Sequence, residues 1–351
     1  MENILAYIAF FAGGILFSLS ANKLLLTFSQ SLGIRNKNDV VVRWSNQSKP
    51  SLGGVSFYIV FLFSFIVYSF LSDKLFHNQE FIGLLLSGTL AFGMGLADDA
   101  YNTKPFAKLL IQILCGVIFV YTDSIIDLTH NNYIDSILTV IWVIILMNSL
   151  NMLDNMDGIT GTVCLFILIT CLLARFMVEG FHFDISSISI VAVIGALCGF
   201  LYYNVNPSKL FMGDAGSQFI GLFVAFATTH NLWNVGTNGV APSWTGFVIC
   251  LVAFTPAASD TLSVVINRLK RGQSPMVGGK DHTTHHLVYA GLKDKQVWYL
   301  FSGIGILSAS ISLLMIYLTI KKIYLPVAIL GCFFLLVFIP LYRVTIKYKQ
   351  P

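Results

Sequence analysis

Long apolar runs, each about the length needed to cross a hydrocarbon layer, recur through this 351-residue chain and leave few folds open to it. A helix needs roughly 20 apolar residues to span a bilayer, and only helices or closed barrels satisfy their backbone groups there. The runs are continuous and lack the alternation of barrel strands. They predict an all-α, polytopic integral membrane helix bundle of about eleven transmembrane helices, over 4–27, 53–72, 82–97, 107–122, 134–150, 159–179, 186–203, 216–232, 244–266, 297–319 and 323–342. Composition agrees: 11% of residues are charged, where a soluble domain carries about a quarter. The first run leads straight into a basic stretch with no small-residue cleavage pattern, so a retained span is expected rather than a signal peptide. All six cysteines fall inside apolar runs, without metal-ligand spacing, and read as small hydrophobes. Residues 1–351 therefore read as a single integral-membrane domain, and no nucleic-acid partner is expected.

Charge placement sets the expected orientation. With eleven spans, the loops near 28–52, 98–106, 151–158, 204–215 and 267–296, with the tail from 343, share one face. That face and its adjoining helix ends hold seventeen of the 21 Lys and Arg residues; Lys74, Arg175, Lys321 and Lys322 fall on the other. The positive-inside rule then puts the N-terminus outside and the C-terminus in the cytoplasm. The three glutamates, Glu2, Glu80 and Glu179, lie toward the outer face. Aspartates gather on the cytoplasmic face as Asp98 with Asp99, Asp154 with Asp157, Asp214, Asp260 and Asp281. Carboxylates at the ends of apolar helices are costly and point to function. Helix capping is the plain alternative for any one of them.

Four groups carry the chemistry. Asp98-Asp99, followed by Lys104 and Lys108, places two carboxylates side by side, an arrangement suited to Mg²⁺ or to accepting a proton. Asn148, Asn151 and Asp154 recur every three residues and share a helix face, with Asp157-Gly158 just beyond. Their amides and carboxylates supply oxygen ligands for a hard cation and hydrogen bonds for a base; an interhelical polar patch is the alternative. Phe211-Met212-Gly213-Asp214-Ala215-Gly216-Ser217 opens a helix whose free N–H groups suit phosphate, with Mg²⁺ between Asp214 and that phosphate. Phe211 either packs in the core or stacks on a base. The loop from Asn267 to Leu287 holds Arg268, Lys270 and Arg271 with His282, His285 and His286. Those histidines invite a zinc reading, but no Cys and no glutamate base accompany them, and anion binding fits the basic loop better.

Together with Pro50-Ser51-Leu52-Gly53-Gly54, these motifs resemble the polyprenyl-phosphate N-acetylhexosamine-1-phosphate transferases, of the glycosyltransferase family 4 type, across nearly the whole chain. Asn155 departs from the glycine often found at that place. The resemblance implies attack of a lipid phosphate oxygen on the β-phosphorus of a UDP-sugar, with UMP leaving and Mg²⁺ (Mn²⁺ as a substitute) as cofactor. It implies Asp214 as the Mg²⁺ aspartate with Asn151 as a second ligand. Phe211 matches the aromatic on uracil, and Asp157 and Asn204 match nucleoside contacts beside Asn148 and Asp154. Asp98 and Asp99 fall at the lipid-phosphate end with Lys108, and His282, His285 and His286 near the diphosphate or sugar. Eleven spans favour UDP-N-acetylglucosamine and undecaprenyl phosphate as substrates. The product would be the first lipid-linked intermediate of a cell-envelope polysaccharide such as O-antigen or teichoic acid. The phospho-N-acetylmuramoyl-pentapeptide transferases are the runner-up. The resemblance also implies a multi-pass protein of the bacterial inner (plasma) membrane, its site facing the cytoplasm, and is compatible with a homodimer. Three other classes fit less well. A CDP-alcohol phosphotransferase lacks its later Asp pair here, an aromatic prenyltransferase lacks its second Asn/Asp ladder, and a transporter has only Asp260 as a mid-helix charge.

Overall fold

The computed structural model describes residues 2–28, 49–71, 78–235, 241–275 and 278–348, and those residues form an all-helical bundle. The basic residues Arg35, Lys37 and Arg43, and most of the expected 28–52 loop, lie outside the described residues. The helices are α1 (Glu2–Phe28), α2 (Val55–Leu71), α3 (Gln79–Tyr101), α4 (Pro105–Tyr121), α5 (Asn132–Leu153), α6 (Ile159–Val178), α7 (Ile185–Asn204) and α8 (Gly213–Thr228). A π-helical turn, Thr229–Trp233, extends α8; then come α9 (Trp244–Ala253), α10 (Thr255–Lys270), α11 (Thr283–Tyr289), α12 (Asp294–Ile320), α13 (Tyr324–Gly331) and α14 (Phe333–Lys347).

Each of the eleven expected segments is helical. Among the described residues seven helices, taking α13 and α14 as one, are long and apolar enough to cross a membrane. The pair α9 and α10 would make an eighth, but it is bent by 83°. Pro256 explains the break: it sits in the first turn of α10 and has no N–H to continue the α9 ladder. The expected segments at α2 and α4 are 17 residues each, and α8 has 16.

Two helices form the centre. α7 is apolar all round and buried along most of its length, and α8 is buried from Ala215 to Thr228. A helix buried on every side needs neighbours on every side. Accordingly α1, α2 and α6 pack on α7, while α3 and α5 pack on α8. The outer helices turn Leu5, Ile8, Leu16, Phe63 and Phe70 outward, as lipid-facing helices should. Polar side chains inside the bundle are joined between helices. Asn22 of α1 donates to Ser18 at 3.1 Å and to Ser56 of α2 at 3.3 Å, and Ser18 donates to the Ala196 carbonyl of α7 at 2.7 Å. In lipid such bonds hold helices together where apolar contact alone cannot.

The two faces of the bundle end differently. On the face where α3, α5 and α7 begin, ordinary caps close them: Asn78 accepts from Phe81 N–H, Asn131 from Tyr133 and Ile134, and Asp184 from Ser187. On the opposite face Asp98 and Asp99 stand in the last turn of α3, at the negative end of its dipole. Capping of their own helix does not account for them.

Close backbone contact builds that face. A Cβ on Gly95 of α3 would lie 2.3 Å from the Asp214 carbonyl, and one on Gly54 would lie 1.9 Å from the Gly216 Cα. Gly93, one half-turn from Gly95, has nothing within 4 Å. Gly95→Ala should thus destabilise the protein by about 1–3 kcal/mol through overpacking. Gly93→Ala should be neutral or stabilising by up to about 1 kcal/mol. Melting both variants in the same detergent checks this, and equal melting temperatures would remove the close contact from the account.

Candidate active site

Helices α3 and α8 bring three carboxylates together at the start of α8, with Asn151 of α5 beside them. Gly213, at φ +78°, turns the chain into the helix where a Cβ would strike the Ser51 carbonyl at 2.2 Å. Residues 50–54 run alongside the approach: Phe211 N–H donates to Pro50 O at 2.9 Å, Gly53 N–H to Phe211 O at 3.0 Å, and Gly54 N–H to Met212 O at 2.9 Å. Asp99 Oδ2 accepts the Ala215 N–H at 2.9 Å, taking one of the open donors of the α8 terminus. Asn151 of α5 donates to Asp214 Oδ1 at 2.6 Å and to Ser217 Oγ at 2.8 Å.

Asp98 is buried and engaged on both oxygens. Its Oδ1 accepts from the Thr103 N–H at 2.8 Å and the Thr103 hydroxyl at 2.7 Å, and its Oδ2 pairs with Lys108 Nζ of α4. Asp98, Asp99 and Lys108 all act electrostatically on Asp214. One ammonium stands among three carboxylates, and Asp98 and Asp214 are close enough to share a proton unless a cation offsets their repulsion. Among the described residues no group of three His, Cys, Asp or Glu side chains closes around one point.

Asn148 joins a neighbouring ladder one turn deeper in the bundle. Its amide donates to Gln112 Oε1 at 2.7 Å, and Gln112 donates in turn to Gln218 Oε1 at 3.1 Å, which ties α5, α4 and α8 together. Asp154 is the C-cap position of α5 and half-buried.

A second cluster surrounds Asp157. Ser208 donates to it through its N–H at 3.0 Å and its hydroxyl at 2.7 Å, Asn206 donates at 3.3 Å, and Lys49 stands 3.9 Å away. Lys49 also lies 5.2 Å from the centre of the Phe211 ring, which is only partly buried. Asn204 is buried with both ends of its amide bonded: it accepts from Gly158 N–H at 3.0 Å and donates to Leu210 O at 2.8 Å. It locks the Asp157-Gly158 turn to the 205–210 loop.

The histidine segment is a short helix, α11, where the sequence suggests only a loop. Asp260, fully buried in α10, accepts the Thr283 N–H at 2.7 Å and pairs with His282 Nδ1 at 2.9 Å. It therefore caps α11 and orients His282, which accounts for the one mid-helix carboxylate that suggested a transporter. Thr284 donates to Asn155 Oδ1 at 2.6 Å, so the residue in place of the usual glycine ties α11 to the second motif. His286 Nδ1 is bonded to the Tyr348 carbonyl. Burial, aided by His282 beside it, lowers His285 to about 3, so its ring is neutral at physiological pH. Arg268 grips Asp281 with two bonds, of 3.0 and 2.6 Å, and Arg271 adds a third of 2.5 Å.

Sequence reading thus names most of the cluster but passes over the side chains that hold it. Ser208, Gln112 and Gln218 carry no local signal, because their partners lie in distant segments, while Thr103 lies only five residues from Asp98. The pairing of Asp260 with His282, 22 residues apart, is equally invisible along the chain.

The fold places this carboxylate cluster at one end of a bundle whose helices are apolar enough to cross a membrane. Residues 81–231, which carry the Asp98-Asp99, Asn151–Asp157 and Asp214 motifs, match the model described as glycosyl transferase family 4. The resemblance drawn from the motifs holds over that stretch, which is somewhat less than half of the chain. It is 27% identical, over 74% of its length and 72% of the relative's, to a probable undecaprenyl-phosphate N-acetylglucosaminyl 1-phosphate transferase of Bacillus subtilis. It is 23% identical, over 75% and 71%, to a decaprenyl-phosphate N-acetylglucosaminephosphotransferase of Mycolicibacterium smegmatis. With a phospho-N-acetylmuramoyl-pentapeptide-transferase of Streptococcus pneumoniae it shares 26% identity over 83% of this chain and 91% of that one.

The Asp281 cluster makes a pH prediction. Burial pushes the carboxyl up, but Arg268 and Arg271 outweigh it and hold it down at about 2, against an ordinary value of 3.8. A depressed carboxylate contributes stability that is full above its ordinary value and lost as pH falls through the folded one. The melting-temperature gap between wild type and Asp281→Asn should therefore narrow as pH drops from about 4 to about 2. A gap constant over that window would mean the arginine clamp does not act through charge.

Proposed function

We propose that this protein transfers a hexosamine-1-phosphate, N-acetylglucosamine-1-phosphate first among the candidates, from a UDP-sugar to undecaprenyl phosphate. An oxygen of the lipid phosphate attacks the β-phosphorus, the bond to the bridging oxygen breaks, and UMP leaves with the electron pair. The product, a polyprenyl diphosphate sugar, is the first lipid-linked intermediate of a cell-envelope polysaccharide. The observation that carries this reading is the meeting of Asp98, Asp99 and Asp214 with Lys108 at the buried start of α8. Both substrates are anionic, so a site for them needs cations, and the cluster offers carboxylate oxygen for one.

Those donors suit Mg²⁺, a hard ion that takes one or two carboxylates and fills its remaining positions with water and phosphate oxygens. Asp214 and Asn151, already bonded to each other, are the ligands proposed. Bound there, Mg²⁺ offsets charge on the diphosphate and on the leaving UMP. Lys108 faces the lipid phosphate, held in place by Asp98. Because Asp98 receives three donors, it serves better to fix Lys108 than to take a proton. Phe211, with Lys49 beside it, offers its exposed face to uracil, and Asp157 positions that corner through Ser208. The histidines of α11, led by His282 on Asp260, cover the diphosphate and sugar. Eleven spans, a multi-pass location in the bacterial inner membrane and a cytoplasmic site belong to the same reading, supported by the seventeen-to-four bias of basic residues.

The muramoyl-pentapeptide substrate is the second reading, supported by the pneumococcal relative, which is aligned over 91% of its own length. An assay of purified protein with undecaprenyl phosphate and a panel of UDP-sugars, following UMP, separates the two. UMP release with UDP-N-acetylglucosamine is expected, abolished by EDTA and restored by Mg²⁺ or Mn²⁺. Asp214→Ala and Lys108→Ala should each lower kcat by about 100-fold or more. Release only with the muramoyl-pentapeptide donor would move the assignment to the second reading. No UMP from any donor, by protein that elutes as a folded species, would sink both.

A further inference from the structure

Helix α11, which carries His285 and His286 with His282 at its N-cap, is seven residues long. A helix that short does not hold its shape alone, so its place is set by what grips it. Its start is held by Asp260 of α10, through the Thr283 N–H at 2.7 Å and His282 Nδ1 at 2.9 Å. Farther along, His286 Nδ1 meets the Tyr348 carbonyl just past α14. Both grips draw α11 toward α10 and α14, which pack on each other.

The residues proposed to hold the metal and the nucleotide lie elsewhere, at the end of α5. Asn151 donates to Asp214 at 2.6 Å, and Asp154 is the C-cap position of the helix. Asn155 comes next and reaches across to α11. Its Nδ2 donates to the Met152 carbonyl at 2.9 Å, in the last turn of α5. That bond leaves Oδ1, the acceptor end of the amide, for the Thr284 hydroxyl at 2.6 Å. Thr284 is fully buried, so its hydroxyl has no water to turn to if that acceptor is lost. The neighbouring His285 ring lies against the Asn155 backbone. One residue thus touches two successive positions of the histidine helix. A glycine at 155 has no side chain with which to make either amide bond.

We propose that Asn155 is a positioning residue: through Thr284 it latches the histidine helix to the end of α5, so that α11 is in place before the UDP-sugar arrives. This role rests on the transferase reading, in which the histidines cover the diphosphate and sugar. A binding face assembled only part of the time lowers apparent affinity by the fraction assembled, while saturating ligand draws it together. Loss of the latch should therefore raise KM for the UDP-sugar and spare kcat. KM for the lipid phosphate, whose proposed contact is Lys108 on α4, should not move. A residue serving the fold alone would behave otherwise, lowering the amount of active enzyme, and so kcat, at unchanged KM.

The test compares three variants in UMP-release assays on purified full-length protein. The substrates are undecaprenyl phosphate and UDP-N-acetylglucosamine, or the muramoyl-pentapeptide donor if that is the one accepted. Thr284→Val, which keeps the shape and removes the hydroxyl, and Asn155→Ala should each raise KM for the donor by about three- to tenfold, the range of one lost hydrogen bond, with kcat held within about twofold. Thr284→Ser, which keeps the donor group, should keep the wild-type KM. The double variant Asn155→Ala/Thr284→Val should be no worse than either single one, because both remove the same bond. Hydrogen exchange on the same proteins needs no turnover: the amides of Thr283–Tyr289 should exchange faster in Asn155→Ala and Thr284→Val, with those of α6 unchanged. With an active wild type, an unchanged KM in Thr284→Val, or KM effects that multiply in the double variant, overturn the latch. A wild type that releases no UMP overturns the transferase reading instead; unchanged exchange in both single variants then overturns the latch, and faster exchange upholds it.

Discussion

The carboxylate of Asp99 on the Ala215 N–H is the contact on which the candidate active site is built. A helix start buried in a bundle carries open N–H donors with no water to satisfy them. One of them finds its acceptor in the last turn of α3, a helix that runs the other way. The negative end of one helix and the positive end of another thereby meet through a single side chain. That bond sets α3 against α8, which brings Asp98 and its partner Lys108 up to Asp214. It also leaves room only for glycine at positions 95 and 213, and a glycine pair, Gly54 with Gly216, lets the 50–54 segment lie flat on the same turn.

Around that turn the bundle separates two kinds of chemistry. One end gathers Asp98 and Asp99, on a helix end whose dipole disfavours them, against Asp214 at the favourable end of α8. The other end caps its helices conventionally around a small cavity lined by Glu80, Arg175, Asp184 and His230. Both ends share the buried α7 and α8, and α8 contributes Asp214 to one and the π-turn to the other. The rigidity of that central pair keeps the two ends at a fixed separation.

Much of this was legible along the chain because hydrophobic length is a local signal. Every expected apolar segment contains a helix, and the motif residues Asp98, Asp99, Asn151 and Asp214 do converge. Boundaries moved where long-range bonds decided them. α3 continues to Tyr101, beyond its apolar run, because Asp98 wraps back onto Thr103. α8 starts at Gly213 because Asp99 receives its first turn. The single span expected over 244–266 is broken at Phe254, where Pro256 was the visible clue. α11 was missed since seven residues give no periodicity, and its cap, Asp260, comes from another helix. Asn148 shares a helix with Asn151, yet its partner is Gln112, so spacing alone could not tell a site amide from one that joins helices.

The glycine floor beneath Asp214 means that the site can be lost without touching any polar group in it. Gly54, Gly95 and Gly216 are pressed against backbone, where any larger residue displaces the turn that carries the carboxylate. Intolerance to substitution at these three positions would therefore report on packing and not on chemistry.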